Sequence, residues 1–307
     1  MAVYRPVARA LPLHNESMIR NLFVALAACT LVAGGCSGET KASAAQPRAE
    51  RKEGSVAPRV SVIAAPVTPY RAFDVTGGAT IGGTINFDGL IPADSAIQLG
   101  EEYPGCGRTI TDQRVQHSGT RIGGTVVWLT DIRAGKPLSV ERRFELTNVD
   151  CGLNPSVQAV FAPGTLNVAS EDVAMHRNRI INVATGETEA IAPFNDNGEV
   201  VPLDRLLTRP AQLEVVCDLH PWSKASILVF DHPYYAVSSR TGEFSLENVP
   251  PGTYQLRAWH PVLGVVGQAV TVAPGQTTKL DLRLPGPGPA AVPAAAGPAA
   301  SAPVPAR

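Results

Sequence analysis

The most chemically potent side chains of this chain gather in Leu213–Phe230, LEVVCDLHPWSKASILVF, where Cys217 and His220 stand three residues apart, just ahead of Pro221. Two short β-type segments, Leu213–Val216 and Ala225–Phe230, flank a tight loop that carries both. A thiolate and an imidazole so placed suit a soft or borderline metal such as copper or zinc. His176, further upstream, is the candidate third ligand. The competing reading is a buried free thiol beside a surface histidine, because cysteine is among the most buried residue types. His232, in Asp-His-Pro, and His260, in Trp-His-Pro, read as hydrogen-bonded turn residues rather than further ligands, and His117 as an exposed one. Asp218 reads as facing solvent, with a role in orienting the loop as the alternative. Glu243 and Glu247 form no matched acid/base pair. The chain has no G-x-S-x-G elbow, phosphate loop or H-E-x-x-H motif.

Cysteine arithmetic bears on Cys217. The N-terminal region has the form of an export signal: a positive start at Met18-Ile19-Arg20, an apolar run from Leu22 to Val32, and Ala33-Gly34-Gly35 before Cys36. Met18 is the expected initiator. Small residues directly before a cysteine resemble the bacterial lipobox, which implies a lipidated Cys36; Cys29, after Leu26-Ala27-Ala28, is a second processing candidate. The apolar run is short for a bilayer span. The expected address is therefore the periplasmic or extracellular side of a bacterial membrane, with the membrane reached through a lipid anchor, or secretion if Cys36 is not lipidated. Of the five cysteines, removal of Cys29 and lipidation of Cys36 leave Cys106, Cys151 and Cys217. In an oxidising compartment two of three should pair, and metal coordination gives the odd one a reason to stay reduced. The expected disulfide is Cys106–Cys151, with Cys151–Cys217 as the open alternative.

These residues need a scaffold, and the chain reads as all-β. Its 307 residues include 28 Gly and 27 Pro, and its Val-, Ile- and Thr-rich segments are short. Strands are expected at Thr80–Asp88, Gly123–Leu129, Arg143–Asn148, Ser156–Phe161, Thr165–Ala169 and Arg179–Val183, while Ala190–Leu207 reads as a polar, irregular connection. Gly123–Leu129 is a continuous apolar run, as in a strand buried between two sheets. Residues 37–74 read as a disordered tether and 286–307, almost all Pro, Ala and Gly, as a disordered tail. A net charge of −1 without a basic stripe argues against a nucleic-acid partner.

Two family resemblances follow. Residues 141–231 resemble a cupredoxin, the copper-binding Greek-key sandwich of the plastocyanin and amicyanin type. The family's upstream Asn-x-Asp-x-x-x-His appears as Ser170-Glu171-Asp172-Val173-Ala174-Met175-His176, which keeps the Asp and His but has Ser170 for the Asn. The Cys-x-x-His-Pro-aromatic loop is kept as Cys217-Asp218-Leu219-His220-Pro221-Trp222. The resemblance implies a copper site of His176, Cys217 and His220. The family's axial methionine is replaced by Ser223, so the weak fourth position is open to the Ser223 hydroxyl or water, and zinc is an alternative to copper. Met175 should point to the opposite face from its neighbour His176. Trp222 is expected to shield the site or to offer an apolar docking surface.

The stretch Ser239–Leu284 resembles the back half of a carboxypeptidase-regulatory-like, or transthyretin-like, sandwich. It has Gly242-Glu243-Phe244-Ser245-Leu246, then Pro250-Pro251-Gly252-Thr253-Tyr254 and closing alternating strands. Gly82–Pro92 and Gly123–Leu129 resemble the missing front half. The expected architecture is two β-sandwiches: a discontinuous one of residues 75–140 plus 232–285, with the cupredoxin-like one inserted between, after a signal segment 1–36. A tandem order, 75–232 then 233–285, is the alternative. The function implied is copper binding for one-electron transfer, with a redox partner protein, or for copper holding, and not an enzyme. The alternative is a non-catalytic envelope binding or scaffold module with a degenerate metal site.

Overall fold

The computed structural model describes residues 69–286. The signal segment, Cys29, Cys36 and nearly all of the tether and tail lie outside them. The described chain opens with β1 (Arg71–Ala72), β2 (Ala79–Asn86), β3 (Ser95–Gln98), β4 (Thr109–Asp112), β5 (His117–Ser118), β6 (Arg121–Ile122), β7 (Val126–Leu129) and β8 (Ala134–Gly135). It continues with β9 (Arg143–Val149), β10 (Gly152–Asn154), β11 (Val157–Phe161), β12 (Gly164–Ser170), β13 (His176–Asn182), β14 (Thr188–Phe194), β15 (Val200–Leu207), β16 (Ala211–Cys217) and β17 (Lys224–Phe230). It closes with β18 (Tyr235–Val237), β19 (Glu243–Val249), β20 (Gly252–His260), β21 (Gly264–Val272) and β22 (Thr277–Arg283). The fold is all-β.

Two sandwiches result. In the first, the sheet β10-β9-β12-β15 faces the sheet β11-β17-β16-β13-β14. Their inward residues, among them Leu146, Leu166, Ile180, Val215 and Ile227, share one core. Parallel pairs β9·β12 and β11·β17 sit among antiparallel ones. In the second, β18-β7-β20-β21 faces a sheet centred on β2, which pairs with β19 and, in parallel, with β22. Ile81, Ile85, Leu129, Leu256 and Leu282 lie in its core. Strands from both ends of the chain thus build the second sandwich, while β9–β17 build the first.

Two strands are buried on both faces, which explains their unbroken apolar runs. In β17, Ala225, Ile227 and Val229 enter the first core while Leu228 and Phe230 face the other way. In β7, Val127 and Leu129 enter the second core, and Val126 and Trp128 turn outward to meet Leu228, Phe230 and Trp259. The period-two alternation of side chains makes this possible. The two sandwiches therefore share a third apolar layer.

Two expectations are corrected. Ala190–Leu207 is not an irregular connection: it lies in β14 and β15 for most of its length, each at the edge of its sheet. Pro193 and Pro202 fit there because an edge strand tolerates a missing N–H, and the exposed Ile191 and Pro193 alternate with the inward Ala192 and Phe194. The tether does not extend through residue 74 as unstructured chain. β1 pairs with β8, and the Tyr70 hydroxyl donates to the Lys136 carbonyl.

Candidate metal centre

His176 opens β13 and Cys217 closes β16, two strands paired so that Asn178 lies opposite Cys217. Even-numbered residues of β13 face inward, as Ile180 does, so His176 and Cys217 both point into the end of the first core. The loop then folds back on itself. His220 N–H donates to the Cys217 carbonyl at 3.3 Å and Ser223 N–H to the His220 carbonyl at 2.8 Å. These consecutive turns, closed by a 3.1 Å bond from Cys217 N–H to the Ser223 carbonyl, place His220 beside Cys217.

Three donor atoms converge. Cys217 Sγ lies 3.6 Å from His176 Nδ1 and 3.5 Å from His220 Nδ1, and the two Nδ1 atoms are 3.1 Å apart. A triangle of such sides has its centre about 2 Å from each corner, the length of a metal–nitrogen bond and slightly short of a metal–sulfur one. All three residues are buried. Burial holds the His176 imidazole below its ordinary pKa against the opposing pull of Asp172. Burial, with the neighbouring His176, pushes His220 down to about 4. Both rings are therefore neutral at pH 7, the form that ligates.

The outer nitrogens decide which atom carries the proton. Asp172 Oδ2 accepts from His176 Nε2 at 2.9 Å, which leaves Nδ1 as a bare lone pair facing inward. His220 Nε2 faces Cys106 Sγ at 3.3 Å. That sulfur belongs to the Cys106–Cys151 disulfide and has no proton to give. If Nε2 carries the proton, the two Nδ1 lone pairs oppose each other at 3.1 Å with nothing between them. If Nδ1 carries it, it donates to His176 Nδ1, but Nε2 is then a buried acceptor facing a sulfur that cannot donate. A cation in the centre removes the conflict.

The surroundings are tied to the same groups. Asp172 Oδ2 also accepts from Cys151 N–H at 3.0 Å, and the Trp222 indole donates to the Cys151 carbonyl at 2.8 Å. The Tyr103 ring packs on Trp222, 4.8 Å between centroids, and Trp222 lies 5.4 Å from His220. Trp222 thus covers the site. Among the described cysteines only Cys217 is free, so the Cys151–Cys217 pairing is not formed. Ser223 is 1% exposed, and its Oγ has no hydrogen-bond partner. Such an orphan suits a weak fourth ligand or a water-bridged one. Met175, 60% exposed, faces away.

Asp218 is exposed, as expected, and its carboxylate accepts from Arg177 and Arg179, which stand on the outward face of β13. The loop is pinned to the strand beneath it by that pair of guanidiniums. His232 and His260 lie apart from the cluster. Each accepts backbone N–H bonds at Nδ1, from Tyr234 and from Val262 and Leu263. The roles of Asp172 and of the disulfide were missed from sequence. Asp172 was visible only as part of the Asp-x-x-x-His pattern, and nothing in the order of residues places Cys106 against His220.

Comparisons with known proteins return both resemblances. Residues 218–285 match the family model of the carboxypeptidase regulatory-like domain. That match starts inside the Cys217–Ser223 loop, although β17 pairs with β11 and β16 of the first sandwich. Similar solved structures include copper proteins. A copper-containing nitrite reductase from Thermus scotoductus SA-01 is 22% identical over 33% of this chain, with a TM-score of 0.24, and this chain covers 24% of that enzyme's length. A purple cupredoxin from Nitrosopumilus maritimus is 14% identical over 28% of this chain and 97% of its own, at a TM-score of 0.24. The Cu(I) form of an amicyanin variant is 13% identical over 30% of this chain and 85% of its own, at 0.25. No curated protein matches the chain.

Proposed function

We propose that this chain is a membrane-anchored, extracytoplasmic copper protein that passes single electrons to a partner protein or holds copper, without catalysing a reaction of its own. The observation that carries the reading is the convergence of three buried donor atoms, Nδ1 of His176, Nδ1 of His220 and the free Sγ of Cys217, within 3.1–3.6 Å of one another. His176, Cys217 and His220 would hold the metal, with Ser223 at the fourth position. Bound copper would supply a one-electron couple. The chain's own part is to hold the ligands still: Asp172 fixes the His176 ring, the two turns fix His220, and the β13–β16 pairing fixes Cys217. A donor set that does not move costs little reorganisation when the charge at its centre changes. Burial and the Trp222–Tyr103 contact separate the ligands from bulk solvent. The signal-like N-terminus and Cys36 support the lipid-anchored location.

The test is to add Cu(II) to the full-length chain and record its visible spectrum. An intense thiolate-to-copper band is expected, and Cys217→Ser should abolish it. A colourless protein that binds copper equally well with and without Cys217 would sink the reading.

A further inference from the structure

His220 stands between two sulfur environments. Its Nδ1 faces Cys217 Sγ at 3.5 Å, and its Nε2 faces Cys106 Sγ at 3.3 Å. The Cys106 and Cys151 sulfurs and a ring nitrogen of His220 lie within 4.8 Å of one another, all in buried residues. As a disulfide those sulfurs are poor ligands; as thiolates they are two strong, soft ones.

The two cysteines are also held in place by contacts that do not run through the S–S bond. Asp150 and Cys151 have φ of 53° and 54° and form the tight turn between β9 and β10. That turn is anchored by Cys151 N–H on Asp172 and by the Trp222 indole on the Cys151 carbonyl. On the other side, Cys106 N–H donates to the Tyr103 carbonyl, and Tyr103 packs on Trp222. Opening the disulfide therefore frees two sulfurs without freeing their backbones.

We propose that reduction of Cys106–Cys151 creates a second metal position, formed by both sulfurs and Nε2 of His220, for a soft or borderline cation such as Zn(II), Cd(II) or Cu(I). The position rests on the reading of His220 Nδ1 as a ligand of the first, because the two share one imidazole ring. Three protein ligands leave a fourth place for water, a coordination that zinc accepts. Reduction takes two electrons and two protons: a dithiol supplies both and becomes a disulfide. The cation then displaces the two thiol protons and the ring proton on Nε2. The chain would hold one ion when oxidised and two when reduced, so its metal content would report the thiol balance around it.

Zinc stoichiometry of the full-length chain, read by native mass spectrometry with and without a phosphine, tests this. The phosphine leaves as its oxide with the oxygen of one water, whose hydrogens go to the two sulfurs. One Zn(II) per oxidised chain and two per reduced chain are expected, and Cys106→Ser should return the reduced chain to one. Cys217→Ser separates this proposal from the first site. It should empty the oxidised chain yet leave the reduced chain able to take one ion. Retention of zinc by oxidised Cys217→Ser would overturn the first site alone. The second position is overturned if the reduced chain still binds one ion, if reduced Cys106→Ser binds two, or if near-ultraviolet circular dichroism collapses on reduction.

Discussion

At the scale of single residues, one carboxylate oxygen does more than any group outside the donor set. Asp172 Oδ2 accepts from His176 Nε2 and from Cys151 N–H, so it sets the tautomer of one ligand and anchors the disulfide-bearing turn. Groups that orient a metal-bound histidine typically carry 10- to 100-fold in affinity. Asp172→Ala should weaken copper or zinc binding by about that factor with far-ultraviolet circular dichroism unchanged, as metal titration will read. Ser223 behaves in the opposite sense. Its buried hydroxyl lacks a partner, and an unsatisfied polar group costs about 1–3 kcal/mol. Ser223→Ala should therefore stabilise the metal-free chain by about 1 kcal/mol in a denaturant titration. The candidate ligands were legible because their spacing is local: Cys217 and His220 lie on one turn, and Asp172 and His176 on one approach to a strand. Cys106 was not, because its place against His220 depends on a 45-residue excursion to Cys151.

At the scale of elements, strand packing decides where backbones can approach. In β2, Gly83 lies opposite Leu280 of β22, and an added Cβ would sit 1.7 Å from the Leu280 carbonyl oxygen. Both partners are backbone in a paired strand, so neither yields cheaply. Gly83→Ala should destabilise the second sandwich by roughly 2 kcal/mol or more, the range of overpacked sites, measured as a lower denaturant midpoint. The all-β class was legible from short β-branched runs between Gly and Pro. β14 and β15 were not, for a physical reason. Edge strands carry outward polar residues and tolerate proline, so their composition looks like a loop even though Ala192 and Phe194 reach the core.

At the scale of the whole molecule, buried imidazoles tie stability to acidity. Burial pushes His232 and His260 each down to about 4. The unfolded chain takes up those protons near pH 6.5, whereas the folded chain resists until about pH 4. Their contribution is thus fully present above pH 6.5 and drains away as the pH falls toward 4, at a cost of about 3 kcal/mol for each. The unfolding midpoint should drop across that interval, and His260→Gln should flatten the drop in a pH series of thermal melts. The outward faces of β7 and β17 bear on the same scale. Trp128 and Phe230 meet ring to ring, 5.8 Å between centroids, and Trp259 joins them. Peeling the sandwiches apart would bare that aromatic seam to water. Calorimetry should accordingly record a single endotherm rather than two, and an ion captured beside Cys217 should carry the far sandwich to a higher melting temperature along with its own.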